Sequence, residues 1–323
     1  MSHIRVRRTK RPAPIHGLLL ALMLFLGVFA VANLGHKPRQ KATHRTRLTA
    51  VRYTPGVPPV PSPIPSTLPF SLGESSGVLW NLTSHQLMWA LHPNLEGAFA
   101  STTKLMTFYL VYHHLALSRS VNISALAAST TGSDIYMAVG DKFTVRQLLY
   151  GLLIASANDA AVELANTVSP NTQDFVKLMN QTAQSFGMYQ THYQDPDGLS
   201  PGSYGSAWDL SIIAQQDLQI PLFRKIVDTK EVSLPYNPDI SNLNELLFMD
   251  PSVIGVKTGW TTQAGFNVVF EARQKVDGHF VTLLGILMHG QDGFYPVDID
   301  AENLLNWGFA QVQKTDHPTL ANS

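Results

Sequence analysis

The chain has 323 residues, and its 23 Lys and Arg balance its 23 Asp and Glu to a formal charge of zero. All 11 cationic side chains ahead of Tyr53 stand without an acid, because the first carboxylate is Glu74; the remainder holds 12 cations against 23 acids, about −11. That body argues against a nucleic-acid partner, which needs a clustered basic face. The absence of cysteine excludes disulfide scaffolds, thiol nucleophiles and Cys-based metal sites.

In chain order, five cations precede the uncharged run Gly17 to Gly35, the order of an export signal. Its 19 residues would span roughly 28 Å, close to the ~30 Å bilayer core, so residues 1–35 read as a signal anchor. Ala30-Val31-Ala32 offers a small-x-small cleavage site, so a signal peptide cut after Ala32 is the rival outcome. Residues 36–70 are basic and then proline-rich, which favours extended conformations and a spacer role over sheet formation.

From Leu72 the patterns are those of a folded domain. Gly77–Leu82 and Gln86–Leu91 predict a hairpin, and a helix is expected from Ser101 to about Leu117. Thr144 and Gln147 form a capping-box pattern opening a helix toward Ile154; further helices are expected over 158–165, 172–186 and 206–215. Strands are expected over 253–256, 267–274 and 280–288, then an amphipathic helix over 299–312. Strands at both ends with helices between predict an α+β domain, with an antiparallel sheet from the N- and C-terminal parts and a helical insertion.

Three short motifs carry chemistry. Ser101-Thr-Thr-Lys104 opens an apolar helix, and residues three apart share a face, so the Lys104 amine can reach the Ser101 hydroxyl. That pairing serves a nucleophilic serine with an amine base. Alone it is weak, since Ser-x-x-Lys occurs roughly once per chain of this size, and an N-cap serine followed by an exposed lysine is the structural alternative. Lys257-Thr258-Gly259 is rarer, and its glycine leaves room for a ligand backbone. Ser156-Ala157-Asn158 sits between two helices, where the side chains could face a cleft or merely cap a helix.

The three occur in one order, 55 and then 101 residues apart, and the set resembles the penicillin-recognising serine enzymes, above all the serine-type D-alanyl-D-alanine carboxypeptidases, the low-molecular-mass penicillin-binding proteins. The likeness extends through Gly140-Asp141-Lys142, Ser156 to Ala161, Asp197-Gly198-Leu199 and Gly255 to Thr261, from about Leu72 to Val312. The resemblance implies the β-lactamase/transpeptidase-like fold, a catalytic domain over 71–315 and a short tail over 316–323. It implies that Ser101 is acylated by a peptidoglycan stem peptide ending in two D-alanines, with Lys104 as base and Ser156 passing a proton to the leaving amine. Asn158 would hold the peptide, Lys257 and Thr258 would bind the terminal carboxylate beside Gly259, which leaves room for the substrate backbone, and the N–H groups of Ser101 and Trp260 would form the oxyanion hole. A base working near neutrality needs Lys104 lowered by roughly 3 pH units from ~10.4, a task expected of burial and repulsion from Lys257.

No cofactor or metal is implied; β-lactams would be covalent inhibitors. Ala157 replaces a frequent glycine, and no arginine lies on the strand 280–288, expected beside the strand of Lys257. The 64 residues after Gly259 are expected to leave no room for the further β domain and anchor of many relatives, so membrane attachment would fall to the N-terminal run. The body would then be extracytoplasmic, secreted or anchored to the outer face of the bacterial membrane. Rival readings are an endopeptidase on cross-links, a β-lactamase and a catalytically silent wall-binding protein. Glu163, Glu231 and Glu245 lack the Glu-x-x-Leu-Asn setting of class A β-lactamases. Asp195-Pro-Asp197-Gly198 lacks the later ligands of a calcium loop and reads as a turn, and His113-His114 as packing or surface.

Overall fold

The computed structural model describes residues 67–316. The signal or anchor over 1–35 and almost all of the spacer lie outside the described residues. The hairpin pairs β1 (Ser76–Asn81) with β2 (Gln86–Leu91), its turn held by the Asn81 side chain, which accepts from the Thr83 and Ser84 N–H groups. After β3 (Gly97–Ala98), a 3-10 turn over Ala100–Thr103 feeds α1 (Lys104–His114). Then come β4 (Ser120–Asn122), α2 (Ala125–Ala128), β5 (Lys142–Thr144) and α3 (Val145–Ile154). The capping box opening α3 is present: the Thr144 hydroxyl accepts from the Gln147 N–H, and the Gln147 carbonyl oxygen accepts from the Thr144 N–H.

Next are α4 (Asn158–Val168), α5 (Thr172–Ser185), β6 (Tyr204–Gly205) and α6 (Ala207–Asp217), the last N-capped by Ser206. α7 (Pro221–Val227), β7 (Glu231–Leu234), β8 (Asn237–Ser241) and α8 (Leu246–Met249) lead into β9 (Val253–Thr261), β10 (Gly265–Val276), β11 (His279–Gly290) and α9 (Phe294–Asp316).

The main sheet has the order β2-β1-β11-β10-β9, every neighbour antiparallel, so the N- and C-terminal parts build one sheet and β9 lies at its edge. One expectation needs correcting: β10, not the strand over 280–288, lies beside the strand of Lys257. Short turns join β9 to β10 and β10 to β11, and strands joined so pair with their chain neighbours. β10 carries Arg273, but its guanidinium sits 4.3 Å from the centroid of the Phe280 ring. It is four positions from Val269, the register partner of Lys257, or about 13 Å along the strand.

Both faces of the sheet are covered. Val78, Trp80, Val269, Leu284 and Ile286 pack toward the helical insertion. Leu79, Val268, Phe270, Leu283 and Leu287 pack on Val297, Ala301, Leu304 and Leu305 of α9. A strand buried on both faces reads as a continuous apolar run, as Leu283–Met288 does. The fold is α+β, and the cleft forms where the edge strand β9 meets the 3-10 turn, α1 and the α3–α4 connection.

Candidate active site

The turn that carries Ser101 is built under constraint. Ala100 has φ +49°, a left-handed conformation that an alanine adopts only when its surroundings impose it. Gly198, at φ +84°, presses on it: a Cβ there would stand 1.8 Å from the Ala100 carbonyl oxygen. The Thr102 hydroxyl donates to the Phe99 carbonyl at 2.7 Å. Ser101 makes no capping bond, and Lys104 is fully buried, so the N-cap and exposed-lysine alternative fails on both counts.

Lys104 Nζ lies 2.9 Å from Ser101 Oγ, 2.7 Å from Asn158 Oδ1 and 2.6 Å from the Asp197 carbonyl oxygen. An ammonium has three N–H donors, and here three acceptors. When the amine loses a proton, the amide and peptide oxygens still require its two remaining N–H groups, because neither can donate. The lone pair is thereby directed at the Ser101 hydroxyl. The Lys104 pKa is lowered to about 8, burial lowering it while Asp197, Asp195 and Asp159 oppose. About a tenth of the molecules thus carry Lys104 as a neutral amine at pH 7. The expected repulsion between the lysines shows itself on Lys257, whose pKa is pushed well down first by burial and then by Lys104.

Lys257 is 2% exposed, and its Nζ donates to Ser156 Oγ at 3.0 Å and to the Thr258 carbonyl at 2.8 Å. Ser156 is held at φ +57° between α3 and α4, and caps neither helix; the N-cap position of α4 is Ala157. Asn158 is nearly buried, giving its carbonyl oxygen to Lys104 and its amide N–H to the Thr131 carbonyl at 2.9 Å. The structure therefore gives Asn158 the task of orienting Lys104, beside the substrate contact expected of it.

Gly259 brings β9 against the turn that carries Ser101. A Cβ there would be 2.9 Å from the Ser101 and Thr102 nitrogens and 3.0 Å from the Phe99 oxygen. Thr258 is nearly buried, and Trp260 is 52% exposed, its ring 5.7 Å from that of Phe266. Ser101, Lys104 and Asn158 thus form one hydrogen-bonded group and Ser156, Lys257 and the Thr258 carbonyl a second, while Gly259 packs against the turn of Ser101 and Trp260 follows it on β9.

The Asp195–Gly198 segment is a turn, with Asp195 accepting from the N–H groups of Gly198 and Ser200. Its contribution is a carbonyl: Asp197 presents its peptide oxygen to Lys104, while its carboxyl, raised to about 6 by burial, accepts from the Leu199 N–H. His113 packs on the Tyr109 ring, and the His114 ring meets the Leu110 carbonyl. Among the described residues no three His, Asp or Glu side chains are grouped to hold a metal ion. The carbonyls of Asp197 and Thr131 were not foreseen, because any residue type supplies a carbonyl.

Comparisons with known proteins agree with this geometry. Residues 67–284 match the D-alanyl-D-alanine carboxypeptidase family, peptidase S11. The chain is 35% identical over 209 residues to D-alanyl-D-alanine carboxypeptidase DacF of Bacillus subtilis, covering 62% of this chain and 54% of that one. It is 34% identical over 256 residues to DacD of Escherichia coli, covering 74% and 64%. Among solved structures, the Streptomyces K15 DD-transpeptidase aligns at a TM-score of 0.68 and 28% identity, covering 76% of this chain and 100% of that one. The chain spans between half and two thirds of the length of the two curated relatives. With the match covering residues 67–284, which include every one of the cleft residues, the chain belongs to the D-alanyl-D-alanine carboxypeptidase family.

Proposed function

We propose that the protein is a serine DD-carboxypeptidase that removes the terminal D-alanine from peptidoglycan stem peptides through an acyl-enzyme on Ser101. The observation that carries this reading is the 2.9 Å contact of Lys104 Nζ with Ser101 Oγ, its other two bonds being taken by oxygens that cannot donate. As the serine oxygen bonds to the scissile carbonyl carbon, its proton moves to Lys104. The developing oxyanion is met by the N–H groups of Ser101 and Trp260. Collapse breaks the C–N bond, the departing amine takes a proton passed through Ser156, and water later hydrolyses the ester.

Lys257 and Thr258 receive the terminal carboxylate. A buried lysine held below its ordinary pKa regains its charge when an anion arrives, so carboxylate binding and Lys257 protonation reinforce one another. Among the described residues β9 is the edge strand of the main sheet, along which an extended peptide can lie as an added strand. β-lactams acylate the same serine and are covalent inhibitors. The order of basic head, uncharged run and proline-rich spacer supports an extracytoplasmic body, secreted or held at the outer face of the cytoplasmic membrane.

The test incubates wild-type and Ser101→Ala protein with labelled penicillin and with a pentapeptide ending in D-Ala-D-Ala. Wild type is expected to acquire a stable label and to release D-alanine, and the variant to do neither. Rapid loss of the label would favour a β-lactamase, and a wild type that neither labels nor releases D-alanine would overturn the enzymatic reading.

A further inference from the structure

Behind the nucleophile turn, on β10, lies a fully buried asparagine that none of the three motifs contains. Asn267 donates its side-chain N–H groups to the Ala98 carbonyl at 3.0 Å and the Phe99 carbonyl at 3.1 Å. Its own oxygen accepts from the His289 N–H at 2.9 Å. Two carbonyls on one side and one backbone N–H on the other admit a single orientation of the amide.

The position has a second consequence. Asn267 is the register partner of Gly259, the residue whose bare Cα lets β9 approach the Ser101 nitrogen. One side chain therefore ties the strand next to β9 to the two peptides immediately ahead of Ala100, whose φ of +49° stores strain at the nucleophile turn. Ser101 N–H belongs to the turn and Trp260 N–H to β9. The separation of the two oxyanion-hole donors is thus set by what binds the turn to the sheet.

We infer that Asn267 is a positioning residue for acyl transfer: its amide clamps the Ala98 and Phe99 carbonyls to the sheet and so holds the Ser101 and Trp260 N–H groups at the spacing the tetrahedral intermediate requires. The inference rests on Ser101 being the acylated nucleophile. Misplacement of a reacting group by about 1 Å costs on the order of 100-fold in rate; loosening this clamp is expected to cost roughly 10- to 100-fold in acylation, with little change in the initial non-covalent binding of penicillin.

The experiment measures, for wild type, Asn267→Ala and Asn267→Asp, the acylation rate constant and the initial dissociation constant of a fluorescent penicillin between pH 6 and 9. The affinity of an alkylboronic acid, which forms a tetrahedral anionic adduct on the serine, is measured alongside. The acylation rate constants are taken per acylatable molecule, so unfolded protein does not count. Asn267→Ala should lose acylation rate and boronic-acid affinity by similar factors while keeping the penicillin dissociation constant within about threefold, as expected for a group acting through oxyanion placement. In Asn267→Asp the introduced carboxylate faces two carbonyl oxygens and regains a donor only when protonated, so its rate relative to wild type should rise toward low pH. If Asn267→Ala does not fold, Asn267→Ser, whose hydroxyl keeps one donor, takes its place under the same criteria. Acylation within twofold of wild type, a loss confined to initial binding, or a pH-independent ratio for Asn267→Asp would overturn the inference. An unlabelled wild type would instead sink the reading of Ser101.

Discussion

Burial shifts the ionisation of charged side chains toward the neutral form in two regions of this domain, with different results. In the cleft, Lys104 is drawn down to about 8 and Lys257 well below its ordinary value, both mainly by burial. At the other site, where the chain enters β1, Glu74 is raised to about 8 by burial and then by the charge of Asp300; on α9, Asp298 is raised to about 7 by burial and then by Glu245. The lysine nitrogens are bonded to hydroxyls and carbonyls within 3.0 Å. Glu74 Oε2 and Asp298 Oδ1 are buried with no such partner. Burial and neighbouring charge alone shift a group toward its neutral form; the proposed base role of Lys104 further needs the fixed acceptors that aim its lone pair at Ser101.

The comparison breaks most severely at the cleft lysine. Lys104→Ala is expected to fold yet to lose acylation by at least roughly 10³-fold, because general base and nucleophile act as a unit; acylation near the wild-type rate at neutral pH would mean that another group is the base. Next comes Gly259→Ala, whose methyl would intrude between β9 and the Ser101 amide. A loss of roughly 10²-fold in acylation is expected, the scale for one oxyanion donor, and pre-steady-state labelling measures it.

A smaller effect is expected of Lys257→Gln. It should raise the KM of a D-Ala-D-Ala peptide by roughly 10- to 100-fold, the range of a hydrogen bond to a charged group, while a substrate amidated at its C-terminus should lose far less. Equal losses for both would remove the carboxylate from the role of Lys257.

The smallest effect lies outside the cleft. Glu74 holds its proton in the folded state up to about pH 8, against 4.5 for its ordinary value. Its contribution to stability is therefore complete below about pH 4.5, declines as pH rises, and is gone above about 8. Glu74→Gln should flatten this part of the melting curve against pH without altering labelling by penicillin. Parallel curves for variant and wild type would show that Glu74 is not the titrating group.

The parts legible in the sequence are those where chemistry or periodicity demands particular side chains. The proximity of Ser101, Lys104, Ser156, Asn158 and the Lys257–Gly259 stretch was readable because serine, amine and amide functions stand in three distinctive motifs. The long strands and the helices of the insertion were readable from their apolar repeats. The two-stranded pairs β3–β6, β4–β5 and β7–β8 were not, since two to five residues give no usable period. α9 starts at Phe294 rather than 299 because Pro296 falls in its first turn, where a missing N–H is tolerated. The order of β9, β10 and β11 was misread by one place, and Asn267 looked like any strand residue. Its importance comes from two carbonyls more than 160 positions away in sequence.

The central claim is that Lys104, its pKa lowered by burial and its lone pair aimed by Asn158 and Asp197, deprotonates Ser101. It is tested most directly by the acylation rate constant of the wild-type protein with labelled penicillin from pH 6 to 10. The rate should rise about tenfold per pH unit at the acid end and level off around an apparent pKa near 8. A rate independent of pH across that range, or one that falls through pH 8, would contradict it.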